Sequence, residues 1–357
     1  MAGSRSDTDN TAEIELGARL LRAGGLVAFP TETVYGLGAN ALDAAAVGRI
    51  YAVKGRPATS PLIVHVASVE MARSLVAEWP EAAERLARQF WPGPLTLVLK
   101  KRLAIAGVVG DTIPDIVTAG LGTVGLRMPS HPIALAVIRA AGVPLAAPSA
   151  NRFTELSPTT AEHVRHGLGS DVDLIIDGGA CEIGIESTVL SLGSPMIPVS
   201  LAVEQDPCHG GHRDHRGTLT LLRPGSISRA QLEALVGPIV VAQEVEAGAH
   251  PAPGMHPRHY SPRTKLYLVR NGDLDGCLRN GEKRKGIYLR HRHAPNSSEA
   301  GFVIRQMPLA AGDYAAALYD VLHQADATGY DWIAVDLPPN DAEWEAIHDR
   351  LKRAATK

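Results

Sequence analysis

Two neighbouring segments of this sequence carry residue types that bind a phosphorylated substrate. The stretch from Pro30 to Gly38 is rich in glycine and hydroxyl groups, and it directly follows an apolar run that is typical of a buried strand. Lys54 and Arg56 come next, two residues apart in a loop that contains glycine and proline. Their side chains can converge on one anion, and the arginine can bind it bidentately. The sequence therefore predicts an enzyme that handles a nucleotide.

The alternative for Lys54 and Arg56 is a solvated loop whose two cations take no part in chemistry. The segment Ser149 to Asn151 favours the binding role, because small hydrogen-bonding residues here follow a predicted strand. Loops at the carboxyl ends of strands in α/β sheets are common ligand sites. No G-x-x-x-x-G-K-[ST] motif occurs in the chain, so a P-loop is excluded as the phosphate site.

The elements that must position these residues alternate between helix and strand. Residues 11–240 are predicted to form one α/β domain, 241–263 a proline-rich linker, and 264–357 a small α/β domain with a parallel βαβ sheet. Strands are predicted at Leu26–Phe29, Leu62–Val66, Leu95–Leu99, Thr123–Arg127, Val143–Ala147, Leu174–Asp177, Thr188–Leu192, Leu219–Arg223, Lys265–Arg270, Gly286–Arg290 and Trp332–Asp336. Helices are predicted at Glu13–Ala23 with Thr11 as cap, Ala44–Tyr51, Met71–Phe90 with a break at Pro80, Pro132–Ala141, Tyr314–Thr328 and Asp341–Arg353. The segment Thr31–Gly38 is predicted to be a loop.

Length and composition limit the function classes. A chain of 357 residues exceeds the usual size of one core, which favours two domains. The formal net charge of -3 argues against the broad basic surface of a duplex-binding protein. The polar first ten residues and the absence of a long apolar run predict a cytoplasmic protein with no membrane contact. Three widely spaced cysteines do not form a disulfide framework.

Ten blocks of sequence, taken in order, resemble the YrdC-like threonylcarbamoyl-AMP synthases. The segments Ala252–Met255 and His259–Pro262 resemble the linker of the long, two-domain members, whereas Asp349–Ala355 resembles their C-terminal helix more weakly. The resemblance implies a YrdC-like twisted mixed sheet with helices and a smaller Rossmann-like C-terminal domain. The ten blocks are Pro30–Gly38, Lys54–Pro57, Pro61–His65, Trp91–Leu95, Arg127–Pro129, His131–Pro132, Ala147–Asn151, Ile176–Gly179, Glu186–Val189 and Leu222–Gly225.

The resemblance also implies a reaction and a set of site residues. L-threonine, bicarbonate and ATP would give threonylcarbamoyl-AMP and pyrophosphate, and the product would feed a threonylcarbamoyltransferase that makes t6A in tRNA. Lys54 and Arg56 are expected to be catalytic, and Mg²⁺ is expected to arrive with ATP, held mainly by phosphates and water. The expected threonine side comprises Thr33, His65, Arg127, Ser149 and Ser187. The expected ATP side comprises Arg56, Ser60, Asn151, Ser157, Arg223 and Tyr260, with Thr118 between the two sides.

Other interpretations of the sequence remain open. A non-catalytic RNA-binding module would share the same fold but would release no pyrophosphate. A carbamoyl-adenylating enzyme of the hydrogenase-maturation type would normally carry a further metal-binding catalytic domain. The segment Cys208–His215 holds one cysteine and three histidines, but its spacing does not match a standard zinc site, so we expect a loop that is dispensable for chemistry. We expect the linker to close over the nucleotide as a lid.

Overall fold

The chain forms two β-sheets, one of ten strands and one of four, with helices packed against them. The computed structural model describes residues 7–103, 112–193, 218–242, 260–274, 285–294 and 302–356. The large sheet contains β1 Val27–Phe29, β2 Gly36–Asn40, β3 Ile63–His65, β4 Leu95–Lys100, β5 Thr123–Arg127, β6 Leu145–Ala146, β7 Leu174–Ile175, β8 Thr188–Leu192, β9 Leu219–Arg223 and β10 Val240–Val241. Its helices are α1 Asp7–Arg22, α2 Ala44–Lys54, α3 Val69–Ser74, α4 Glu81–Phe90, α5 Asp115–Thr118, α6 Pro132–Ala141, α7 Ala161–Gly167 and α8 Arg229–Val236.

The large sheet is mixed, with the strand order β10-β9-β8-β4-β5-β3-β6-β2-β1-β7. Strands β3 and β5 are parallel, and His65 pairs with Arg127 in their register. Strand β6 runs antiparallel to both β2 and β3. Because the segments that carry the candidate residues flank these central strands, the sheet brings them together.

The small sheet is entirely parallel, with the order β11-β14-β12-β13. Its central strand β14 is buried at every position, as expected for a parallel strand covered on both faces. The C-terminal region is defined here as residues 264–356 and contains β11 Lys265–Val269, β12 Gly286–Arg290, β13 Phe302–Gln306, β14 Trp332–Asp336, α9 Ala311–Thr328 and α10 Glu345–Ala355.

The C-terminal region shares a hydrophobic core with the segments that surround the large sheet. Val34, Leu156 and Ile185 belong to the same buried cluster as Tyr314 and Leu318 of α9. Burial of such side chains is worth about 25 cal/mol per Å² of apolar surface, so this shared core holds the two parts of the chain against each other.

The predicted fold class is confirmed, with a mixed α/β sheet and a second, parallel sheet. The loop prediction for Thr31–Gly38 was wrong for its last three residues, which belong to β2 and pair antiparallel with β1. Glycines in this segment suggested a turn, but Gly38 instead makes room for an aromatic ring: a Cβ there would lie 2.6 Å from Cε1 of Phe29. Strand β13 and helices α5, α7 and α8 had no predicted counterpart.

Two helix predictions also need correction. Thr11 lies inside α1, which begins at Asp7, so it is not the cap. The break predicted at Pro80 is confirmed, since Pro80 directly precedes α4, but the first helix α3 ends earlier than predicted, at Ser74. The segment Cys208–His215 and most of the predicted linker, residues 243–259, lie outside the described residues.

Candidate active site

A pocket lies over one face of the large sheet and collects polar residues from segments that are far apart in sequence. Successive side chains of a strand point to opposite faces of the sheet, so Ile63 and His65 of β3 share one face. Both side chains line this pocket. All five residues predicted for the threonine side line it, together with three of those predicted for the ATP side. The predicted residues that line the pocket are Thr33, His65, Arg127, Ser149, Ser187, Arg56, Arg223 and Tyr260.

One side of the pocket holds a buried ion pair. The Nη2 atom of Arg127 lies 2.8 Å from Oε1 of Glu32, and both side chains are about 95% buried. These two atoms are not aligned for a hydrogen bond, and neither has another hydrogen-bond partner among the described residues. The second Glu32 oxygen accepts from the backbone N–H of Ser130 at 3.1 Å. Glu32 therefore holds the guanidinium electrostatically while leaving Nη2 able to donate to a ligand.

His65 faces the same region as a neutral imidazole. Burial, the largest cause, and the nearby Arg127 cation lower the pKa of His65 to about 3, although a hydrogen bond with the backbone of Ile63 acts in the opposite direction. Its Nδ1 atom is buried and has no hydrogen-bond partner in the part of the chain that the structure describes. Buried polar atoms in native structures are usually paired, so an unpaired one in a pocket marks a group that can bind a ligand.

Arg56 lies on the other side of the pocket as a buried cation. Its Nη2 donates to Oγ of Ser60 at 2.5 Å and to the carbonyl of Pro61 at 2.9 Å. Its guanidinium carbon also lies 5.8 Å from the centroid of the Phe153 ring. Burial lowers the pKa of Arg56 to about 10, yet the group stays charged at neutral pH. No carboxylate in the described part of the chain pairs with it, so an anionic substrate would offset the cost of its burial.

Arg223 and Tyr260 complete this side. Arg223 donates through Nη2 to the carbonyl and the hydroxyl of Ser187, at 2.9 and 3.1 Å. Its Nη1 donates to the Tyr260 hydroxyl at 3.4 Å. Tyr260 adopts φ of 61°, a left-handed conformation that is uncommon for a bulky side chain. Such backbone strain persists only where the surroundings hold the residue firmly, as they do in functional sites.

The remaining predicted residues lie behind the pocket wall. Lys54 is buried and donates to the backbone carbonyls of Ser149, at 2.6 Å, and of Asn151. Its pKa is well below the ordinary value, chiefly because of burial and then because of Arg56. Ser60 supports Arg56, as described above. Lys54 thus fixes the Ser149–Asn151 loop, and its direct contact with phosphates stays a prediction.

Three further predicted residues also stand outside the pocket lining. Asn151 donates to the carbonyls of Arg152 and Glu155, at 2.9 and 2.8 Å. The Ser157 hydroxyl donates to Glu186 at 2.5 Å. Thr118 lines a small neighbouring cavity that shares Ile63 with the main pocket. Their assignment to the ATP side stays a prediction.

The sequence predicted a ligand site at the carboxyl ends of the strands, and the observed position of the pocket differs from this prediction. Because β6 runs antiparallel to β3, its carboxyl end lies beside the amino end of β3, and the Ala147 N–H donates to the Ile63 carbonyl. Residues from opposite ends of neighbouring strands therefore meet across the face of the sheet. This arrangement suits two reactants that approach each other from different directions.

Two acidic residues of the site were not singled out from the sequence. Glu186 lines the pocket, Glu32 pairs with Arg127 beside it, and both carboxylates are buried. Each lies between residues that were recognised, and each is a carboxylate in or beside an apolar stretch, where a buried charge needs a partner. That signal could have identified them.

Comparison with known proteins assigns the family. Residues 19–199 match a family model described as "Telomere recombination", and residues 227–356 match the model "Threonylcarbamoyl-AMP synthase, C-terminal domain". A threonylcarbamoyl-AMP synthase from Bacillus subtilis (strain 168) is 41% identical, over 97% of this chain and 94% of the relative. The chain belongs to the threonylcarbamoyl-AMP synthase family. It is therefore an enzyme of the nucleotidyltransferase class.

A solved structure of the same family has a similar fold along nearly the whole chain. The crystal structure of Sua5 from Pyrococcus abyssi complexed with L-threonine is 37% identical, covers 96% of this chain and 94% of its own, and has a TM-score of 0.79. Like that relative, this synthase-family chain has two parts, each matched by its own family model. No helix in the described part is both long and apolar enough to cross a membrane.

Proposed function

We propose that this chain synthesises threonylcarbamoyl-AMP from L-threonine, bicarbonate and ATP and releases pyrophosphate. The product would serve a threonylcarbamoyltransferase that makes t6A in tRNA. The observation that supports this proposal most directly is the pocket that brings Arg127 and His65 together with Arg56 and Arg223. The likeness to a relative crystallised with L-threonine supports threonine as the amino-acid substrate.

Threonine would bind on the side of the ion pair. Its carboxylate would accept hydrogen bonds from the Arg127 guanidinium, because Nη2 has no hydrogen-bond partner within the described residues. His65 and the hydroxyls of Thr33 and Ser149 would hydrogen-bond to the remaining polar groups of the amino acid. Glu32 would keep the guanidinium in place and limit its swing.

The chemistry needs alignment more than a nucleophile from the protein. The threonine amine would form a bond to the carbon of bicarbonate-derived carbon dioxide, losing a proton and giving a carbamate. A carbamate oxygen would then attack the α-phosphorus of ATP, forming the new O–P bond as the bond to pyrophosphate breaks. Arg56 and Arg223 would stabilise the charge on the phosphates, and the loop held by Lys54 would keep the reactants in line.

Magnesium would enter as part of the nucleotide substrate. Among the described residues no group of three or more His, Cys, Asp or Glu side chains is placed to hold a metal ion. Glu186, which lines the pocket, already interacts with Arg350, and Glu32 beside the pocket interacts with Arg127. The phosphates and water would therefore supply the ligands for Mg²⁺.

A pyrophosphate-release assay tests the proposal. Release should require threonine, bicarbonate and ATP together, and Arg56→Ala should lower turnover by about two to three orders of magnitude, as for loss of a preorganised charge donor. Arg139→Ala is a matched control, because Arg139 is an exposed residue of α6. A parent protein that releases no pyrophosphate above its threonine-free background would favour the binding-module interpretation instead.

A further inference from the structure

Helix α10 of the C-terminal region places a buried arginine directly behind the proposed nucleotide side. The Nε atom of Arg350 donates to Glu186 at 2.7 Å, and its Nη2 donates to the carbonyl of Pro224 at 3.1 Å. Glu186 precedes Ser187, and Pro224 follows Arg223. The guanidinium therefore binds the sequence neighbours of Ser187 and Arg223, two residues that line the pocket.

The same guanidinium also packs against Tyr260. Its central carbon lies 5.2 Å from the centroid of the tyrosine ring, within the range of a cation–π interaction. The Tyr260 hydroxyl accepts from Arg223. Arg350 thus contacts three residues around Arg223. Pro224 follows Arg223 in sequence, and Glu186 precedes Ser187, which accepts from Arg223. The third is Tyr260, whose hydroxyl accepts from Arg223.

Glu186 is an anchor for this arrangement. Its carboxylate accepts from the Ser157 hydroxyl at 2.5 Å, from the Tyr319 hydroxyl at 3.2 and 3.3 Å, and from Arg350. Tyr319 belongs to α9, so two of the three donors come from the C-terminal region. A carboxylate held by this many donors is poorly suited to act as a base, but it fixes the start of β8 firmly.

The backbone just before Glu186 in sequence lies in close contact with α9. Gly184 has φ of 75°, and a Cβ at this position would lie 2.6 Å from the carbonyl oxygen of Ala315. Only glycine satisfies both conditions. The segment that leads into Glu186 is therefore built to rest on the backbone of the C-terminal region.

We infer that Arg350 is a positioning residue through which the C-terminal region holds Arg223 and Tyr260 in place for the ATP phosphates. This inference rests on the proposed function. On the threonine side Ser187 adjoins Glu186, but Arg127 and His65 belong to the central strands and have no hydrogen bond or ion pair with α10 among the described residues. Loss of Arg350 should therefore weaken the use of ATP and leave the use of threonine nearly unchanged.

The test compares variants of the full-length chain that differ at α9 and α10. Arg350→Met should raise KM for ATP by about tenfold or more, as expected for loss of charge-assisted hydrogen bonds, and should change KM for threonine by less than about twofold. Arg350→Lys should fall between the parent and Arg350→Met, because an ammonium cannot reach Glu186 and Pro224 as a fork. Tyr319→Phe removes only one hydroxyl and should shift KM for ATP in the same direction. Lys352→Met is the control, since Lys352 is exposed on the same helix.

Amide hydrogen exchange separates this inference from the proposed function. Residues 184–189 and 222–226 should exchange faster in Arg350→Met than in the parent and in Lys352→Met. Unchanged exchange there would overturn the inference, whether or not the parent is active. A parent that releases no pyrophosphate would overturn the proposed function alone. An active parent whose Arg350→Met variant shows equal rises in both KM values, or none, would overturn the specific role toward ATP.

Discussion

The two halves of the pocket differ in whether their buried arginine has a carboxylate partner. On one half, the Arg127 cation has the Glu32 carboxylate beside it. On the other half, Arg56 donates to uncharged oxygens and pairs with no carboxylate of the described residues. A zwitterion such as an amino acid suits the first half, and a polyanion such as a triphosphate suits the second.

Arg127→Lys tests the assignment of the amino-acid half. A lysine keeps the positive charge that Glu32 needs, so the fold should survive, but it cannot bind a carboxylate bidentately. We expect the dissociation constant for threonine to rise by about tenfold, with the affinity for ATP unchanged. Isothermal titration with each ligand measures both. If threonine bound equally well to Arg127→Lys, the carboxylate would have to bind elsewhere.

At the scale of elements, the loop after β6 depends on a lysine from the end of α2. Lys54 donates to two backbone carbonyls of this loop, and α2 ends there because Gly55 adopts a left-handed φ of 62°. The helix terminus therefore sets the position of Ser149 in the pocket wall. This role differs from the direct phosphate contact that the sequence predicted.

Lys54→Met distinguishes the two roles. If Lys54 supports the loop, its replacement should weaken threonine binding by about tenfold even without ATP, because two buried carbonyls lose their donor and Ser149 shifts. If it contacts phosphates alone, threonine binding should stay constant and only ATP affinity should fall. Titration with threonine in the absence of nucleotide decides this point. Lys100→Met, at the exposed end of β4, is the control.

Local patterns predicted the strands of the site, and long-range pairing determined its geometry. Strands β5, β8 and β9 were predicted with the observed bounds, and polar residues within apolar strands marked His65 and Arg127. The direction of β6 was not predictable, because it depends on pairing with β2 and β3. The contact of Arg350 with Glu186 joins residues 164 positions apart, and no local pattern encodes such a distance.

At the scale of the whole molecule, two stacked histidines join the parts of the chain. The ring centroids of His163 in α7 and His323 in α9 are 3.9 Å apart, and the two ring planes are nearly parallel, at 18°. Burial is the largest cause that lowers the pKa of each ring to about 4. Glu162 near His163 and Asp320 near His323 offset only part of this effect. Both rings are therefore neutral at pH 7.

Acid should weaken the association of the two parts. An unfolded histidine has a pKa of about 6.5, so between pH 6.5 and 4 the unfolded chain binds more protons than the folded chain. The free energy of unfolding should therefore be constant above pH 6.5 and fall below it, by up to about 1.4 kcal/mol per pH unit for each ring. Denaturant titrations at pH 7.5 and 5 measure the loss.

His163→Phe should reduce this loss, because it keeps a stacked ring but removes one proton-binding site. His166→Gln should not, because His166 is exposed on the same helix. An equal loss in the parent and in His163→Phe would show that other groups cause the acid sensitivity.

Truncation after Val241 tests how far the large sheet can work alone. It removes Tyr260 together with Tyr319 and Arg350, so Glu186 keeps only Ser157 among its described donors. It also uncovers apolar side chains that pack on the C-terminal region. We expect turnover to fall by at least about two orders of magnitude, because the charge donors toward ATP lose their support.

Threonine binding should persist in the truncated protein, because Arg127, His65 and Thr33 remain in place. Titration with threonine, beside circular dichroism, would show that the sheet is still folded while pyrophosphate release is lost. Tyr260→Phe in the full-length chain isolates the hydroxyl that Arg223 binds and should reproduce a small part of the loss. Full activity after truncation would refute both the lid expected from the linker and a role for the C-terminal region in catalysis. Loss of threonine binding as well would mean that the large sheet requires the shared core to fold.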